Sequence, residues 1–129
     1  MARREPTISG GASPPCGGST APLPVAIVVP TLDEADRIVA ALRRLRLDFP
    51  DCELVVVDGG SSDATATLAA GHARVLHSAP GRAVQMNAGA SATSAPVLWF
   101  VHADCRIDPE ALGQIRAALA DPSVVGGGL

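Results

Sequence analysis

Three apolar runs in this chain each end in acidic residues. Val25-Ala26-Ile27-Val28-Val29 runs into Pro30-Thr31-Leu32-Asp33-Glu34. Glu53-Leu54-Val55-Val56-Val57 runs into Asp58-Gly59-Gly60-Ser61-Ser62-Asp63. Pro96-Val97-Leu98-Trp99-Phe100-Val101 runs into His102-Ala103-Asp104-Cys105. A carboxylate can accept hydrogen bonds from a base imide or a ribose hydroxyl. It can also ligate Mg²⁺ or Mn²⁺, which often take one or two protein carboxylates and complete their shells with substrate phosphates. Asp58 is the candidate for the first chemistry and Asp104 for the second. Asp58 also has a plainer reading, as a turn aspartate satisfying the amides that follow it. Gly59 and Gly60 let a ligand approach the backbone, and Ser61 or Ser62 at a helix start favours an anion. His102 either adds a ligand for manganese or bonds its own loop, and it is not counted as a ligand. Cys105 reads as a small loop or core residue, since no activating base is identifiable.

A fourth segment, Gly81-Arg82-Ala83-Val84-Gln85-Met86-Asn87-Ala88-Gly89-Ala90, carries a different signal. Arg82 opens a helical stretch beside the Pro80-Gly81 turn, where its planar fork could pair with phosphate. The alternative is a surface arginine on a loosely formed helix. Asn87 and Gly89 are poor helix formers, and their cost inside a helix points to a tight contact or a backbone role.

The elements that must position these residues alternate. Val25–Val29 is a β-branched run stopped by Pro30, hence a buried strand. A helix is expected from about Asp33, which would cap it, with Ile38, Ala41, Leu42 and Leu45 at helical spacing. Arg43, Arg44 and Arg46 read as its solvated face. Glu53–Val57 is a second strand. A helix capped by Ser61 or Ser62 runs to about Ala70, and Gly71 stops it. Arg74–His77 is a short third strand, Arg82–Thr93 a helix, and Pro96–Val101 a fourth strand. Asp108-Pro109-Glu110 opens a last helix, with Pro109 at its first position and Leu112, Ile115 and Leu119 as its buried stripe. Val124-Val125 is expected to begin a fifth strand. The order β-α-β-α-β-α-β-α predicts an α/β fold with a doubly wound, mostly parallel sheet. All three acidic clusters then line one edge, where open α/β sheets hold ligands.

Composition bounds the rest. The 129 residues suit one domain. They are 47% hydrophobic but only 2% aromatic, so the core is aliphatic, as parallel sheets favour. Every basic residue is Arg, and the net charge of -3 argues against nucleic acid as a partner. Cys16, Cys52 and Cys105 are far apart and form no zinc spacing, which fits a reducing, cytoplasmic setting. No stretch has the apolar length of a membrane span, and peripheral membrane contact stays open. Residues 1–24, rich in Gly, Ser, Pro and Ala, are expected to be a disordered leader. Phosphate-loop, dinucleotide-fingerprint and Gly-x-Ser-x-Gly motifs are absent.

Taken in order, the segments Ile27–Glu34, Glu53–Thr65, Gly81–Ala90 and Leu98–Asp104 resemble a family 2 glycosyltransferase of the GT-A fold. The Gly-Arg-Ala-x-Gln-Met-Asn-x-Gly-Ala and His-Ala-Asp variants resemble a bacterial subgroup associated with radical-SAM proteins, some tied to arsenosugar biosynthesis. The resemblance implies that residues 25–129 are the nucleotide-sugar-binding part of such a domain. It implies that Pro30, Thr31 and Glu34 line the nucleotide pocket and that Asp58 contacts the base, commonly uracil. Arg82 would lie near the base or diphosphate, and Asp104 would bind Mg²⁺ or Mn²⁺ as the last residue of an Asp-x-Asp motif. Transfer from a nucleotide-diphosphate sugar to an unknown acceptor would proceed with inversion.

Two residues depart from the wider family. His102 stands where it has the first Asp of that motif, and Gly59 where it often has a second Asp. Family members also continue into an acceptor-binding half that carries the catalytic base, so the base is expected beyond Leu129. The sequence therefore reads as an apparently truncated transferase. The alternative is a nucleotide-sugar-binding fragment that is catalytically incomplete. A nucleotidylyltransferase is disfavoured, because its Gly-rich loop with Arg and a following Lys is missing.

Overall fold

A computed structural model describes residues 24–121 together with 123, 124, 126 and 127. The expected leader lies, but for exposed Pro24, outside the described residues. Four strands form one parallel sheet: β1 Val25–Thr31, β2 Glu53–Asp58, β3 Arg74–His77 and β4 Val97–Phe100. Four helices connect or follow them: α1 Ile38–Asp48, α2 Thr65–Ala70, α3 Arg82–Ser91 and α4 Ala111–Leu119. The strand order is β3-β2-β1-β4. The chain winds outward from β1 to β3, then crosses back over β2 and β1 to lay β4 on the other side. The direction of winding therefore reverses between β1 and β4, and that reversal opens a crevice at the carboxyl ends of those strands.

β1 is buried along its whole length because it is paired on both sides. Its side chains alternate between two cores. Val25, Ile27 and Val29 join Leu54, Val56 and Trp99 against Ile38, Leu42 and Leu45 of α1, Ala69 of α2 and Leu119 of α4. Val28, Val55 and Val57 face the other way, with Leu76, Ala88 and Phe100 packed against them. Helix α3 covers that second face closely. A Cβ on Gly89 would meet Val28 Cγ1 well inside contact distance and Val57 Cγ2 at 3.2 Å. The glycine inside the helix thus marks a tight contact, as expected, whereas Asn87 is exposed.

Several boundaries differ from the sequence expectation for local reasons. Asp33 does not cap α1. It adopts φ 53°, and the helix begins at Ile38 after a turn in which the Glu34 carbonyl accepts from the amides of Arg37 and Ile38. Neither Ser61 nor Ser62 caps α2, which begins at Thr65, because both hydroxyls are drawn to carboxylates. Gly71 does end α2, in a right-handed conformation. Pro109 precedes α4 in a turn where Asp108 takes the Glu110 amide on its side chain and the Ala111 amide on its carbonyl. Leu112 and Ile115 are half-buried and Leu119 is buried, as the expected stripe requires. Val124 lies in no strand, and Val125 is outside the described residues.

Candidate functional site

Parallel pairing places Thr31 opposite Asp58 and Asp58 opposite His77 at the carboxyl edge. Val28 pairs with Phe100, so the chain after β4 emerges beside the end of β1. Pro30 is buried in β1, beyond the last residue that pairs with β4. The three acidic clusters therefore stand in a row along one edge, as the alternation predicted.

Asp58 is 2% exposed and its carboxylate is heavily engaged. Oδ2 accepts from the amides of Gly60 (3.1 Å) and Ser61 (2.9 Å). Oδ1 accepts from the hydroxyls of Ser61 (2.5 Å) and Thr31 (3.4 Å). Burial pushes its pKa up. The Ser61 hydroxyl, the Ser61 and Gly60 amides and the charge of His77 outweigh that, and the carboxyl titrates below the usual aspartate range. The turn-aspartate reading of Asp58 is thus realised in full, and any role toward a ligand comes on top of it.

Two relays lace the loop after β1 to the loop after β2. The Asp33 amide donates to Ser61 Oγ (2.8 Å), which donates to Asp58. The Glu34 amide donates to Thr65 Oγ1 (2.8 Å), which donates to Asp63. Asp33 closes the lacing by accepting from the Ser62 amide (2.8 Å). Asp63 titrates low, the Thr65 hydroxyl being the largest cause. The loop amides of Asp33, Glu34, Gly60, Ser61 and Ser62 are thus all bound internally. Glu34 is half-buried, and its carboxylate lies 3.4 Å from Arg37.

Gln85 escaped the sequence reading. Its side chain is 5% exposed, and Nε2 donates to the carbonyls of Thr31 (2.9 Å) and Val57 (3.0 Å). It ties α3 to the ends of both central strands. The available signal was spacing, since Gln85 and Gly89 are four residues apart and form the buried stripe of α3. Gly59 meets it directly: a Cβ there would stand 2.8 Å from Gln85 Cδ. Arg82 begins the same helix after Gly81, which has φ 133°, and is exposed, with no bond to a described residue.

Asp104 is exposed in the turn after β4 and also has no bonded partner among the described residues. It lines a cleft of about 350 Å³ between α1 and the 101–107 loop, with Arg37, Arg44, Asp48, His102 and Arg106. Asp58 and Arg82 do not line this cleft. Among the described residues no three His, Cys, Asp or Glu side chains cluster closely enough to hold a metal alone. A free, solvent-facing carboxylate suits the sparser arrangement, in which phosphates supply most of the shell.

Known proteins match this architecture. Uncharacterized glycosyltransferases of Mycobacterium bovis and Mycobacterium tuberculosis are 32% identical over 97 residues, 74% of this chain and 43% of theirs. The chain thus spans less than half the length of these relatives. Glucosyl-3-phosphoglycerate synthase from Mycobacterium tuberculosis, solved with Mn²⁺, uridine diphosphate and glucosyl-3-phosphoglycerate, superposes with a TM-score of 0.64 at 24% identity. That match covers 77% of this chain and 40% of the synthase. The same synthase with Mn²⁺ and uridine-diphosphate-glucose gives 0.66 at 23% identity over the same shares. These likenesses show the fold, which is that of GT-A transferases. Residues 26–129 match the family described as Glycosyl transferase family 2, and the chain belongs to that family.

Proposed function

We propose that this chain is the donor-binding part of a glycosyltransferase that takes a sugar from a nucleotide diphosphate, with uridine as the nucleoside. The observation that carries the reading is the row of Thr31, Asp58 and Asp104 along the carboxyl edge, at and beside the point where the winding reverses. Family membership and the uridine nucleotides bound by the similar synthase support it. The Gly81–Ala90 and His102–Asp104 variants support placement beside the radical-SAM-associated bacterial subgroup.

In this reading Pro30, Thr31 and Glu34 border the nucleotide. Asp58 organises the loop that faces the base, and Arg82, at the start of α3 and without a side-chain partner among the described residues, meets the diphosphate. Asp104 and the phosphates would together hold Mg²⁺ or Mn²⁺, which would stabilise the diphosphate as it departs. The acceptor oxygen bonds to the anomeric carbon as the bond to the diphosphate breaks, inverting that centre, and a carboxylate base takes the acceptor proton. No described residue is assigned as that base.

A second reading is a nucleotide-sugar-binding unit without acceptor chemistry of its own. It is favoured by the residues gathered at the carboxyl edge, which suit a nucleotide and its metal, while no described residue is assigned to the acceptor. A cytoplasmic setting fits the thiols of Cys52 and Cys105, both free of disulfides. Among the described residues no helix is long and apolar enough to cross a membrane.

The test is calorimetric titration of the chain with uridine diphosphate, with and without Mn²⁺. Metal-dependent binding that Asp104→Ala removes is the expected result. A folded chain that binds no uridine nucleotide would sink the donor assignment. Metal-dependent binding with no sugar transfer to any acceptor tried would favour the second reading.

A further inference from the structure

One acceptor beside Gly59 is unspent. The Gln85 amide nitrogen carries two hydrogens, and both are used, on the Thr31 and Val57 carbonyls. Only the nitrogen can donate to two carbonyls, so this pairing fixes which end of the amide is which. Oε1 accordingly faces away from both carbonyls and accepts nothing from any described residue. The residue is 5% exposed, yet Oε1 keeps contact with solvent, so a ligand donor can take the place of water there. Gly59 keeps the approach open, because a Cβ there would lie 3.0 Å from Oε1.

Asp58 is in the opposite condition. A carboxylate offers about four lone-pair directions, and the Asp58 oxygens already accept from Gly60, Ser61 and Thr31 in four bonds. A donor group arriving at this edge finds the carboxylate occupied and the amide oxygen free.

We infer that Gln85 Oε1 accepts a hydrogen bond from the nucleoside of the donor, either the base imide N–H or a ribose hydroxyl, with Asp58 holding the loop around it. The inference rests on the donor-site reading above. Gln85 then sets nucleoside specificity, and Gly59 is its required neighbour.

The experiment is titration of the full chain, with Mn²⁺, using uridine diphosphate, its 3-methyl-uracil analogue and its 2′-deoxy analogue. The wild-type chain is expected to bind one analogue about tenfold more weakly than the parent. The methylated one implicates the imide, the deoxy one the ribose. Gln85→Met, close in volume, should bind the parent about tenfold more weakly and lose that discrimination, at a temperature where circular dichroism shows it folded. If it does not fold, Gly59→Ala serves instead, since its methyl group displaces the amide and should give the same loss.

Unchanged affinity and discrimination in a folded Gln85→Met, or in Gly59→Ala where that stands in, overturns the inference. So does a wild-type chain indifferent to both analogues. Discrimination that survives Gln85→Met but vanishes in Asp58→Asn moves the contact to Asp58. A folded wild-type chain that binds no uridine nucleotide overturns the donor-site reading itself, a result distinct from all of these.

Discussion

Asp58 and Asp104 carry the same functional group and behave oppositely. Asp58 is buried with four hydrogen bonds, so Asp58→Asn is expected to cost about 2 kcal/mol in urea unfolding. Asp104 is exposed and its side chain has no bonded partner among the described residues, so Asp104→Ala should stay within about 0.5 kcal/mol of the wild type by the same measurement. Acid separates them further. The unfolded chain protonates Asp58 near the ordinary value of 3.8, the folded chain only at lower pH. Between those two values the unfolded chain binds more protons, so stability rises with pH there. The Asp58 contribution is whole above the ordinary value, shrinks as pH falls below it, and is gone beneath the folded value. Thermal unfolding from pH 5 downward should show a shallower acid loss in Asp58→Asn than in the wild type. A stability difference that does not narrow on acidification would contradict the hydrogen-bond assignment.

Helix α3 decides how close the second face of the sheet is packed. Gly89 sits against Val28 and Val57, so Gly89→Ala must push the helix away and is expected to cost about 1–3 kcal/mol. Helix propensity alone would favour alanine by about 1 kcal/mol, so the sign of the change in denaturation midpoint reads which effect wins. A stabilised variant would show that α3 stands farther from the sheet. This contact was legible beforehand, because a glycine inside a helical stretch needs a reason. The partner of Gln85 was not legible: nothing local announces that a glutamine will reach a carbonyl 54 residues away. The caps failed for a related cause. Ser61, Ser62 and Asp33 are good capping residues, and local rules assign them to their own helices. In the fold their polar groups pair across the two loops, which only the tertiary arrangement reveals.

At the scale of the whole molecule, two cores share the four strands, and alternation along β1 links them. The sheet, its parallel sense and the edge that gathers the acidic clusters all followed from apolar runs alternating with helical spacing. What the sequence could not supply was the division of that edge into a knotted part around Asp58 and an open cleft around Asp104. The single Trp99, 8% exposed and stacked edge-on at 5.1 Å from Phe49, reports on the larger core. Its fluorescence and the far-ultraviolet circular dichroism should lose signal in one coincident transition. Two separated midpoints would mean that the faces unfold independently.

The reach of Gln85 also bears on when the carboxyl edge is completed. The β1–β2 edge, where Thr31 meets Asp58 across 27 residues, closes a short loop, while Gln85 must return to Thr31 across 54. Contacts distant in sequence pay more loop-closure entropy before they are rewarded. The two inner strands can therefore pair before Gln85 bridges them. On a ribosome that order is enforced, since Gln85 leaves the exit tunnel well after both strands it must bridge. The brace between α3 and the two inner strands is a late product of the chain's own synthesis.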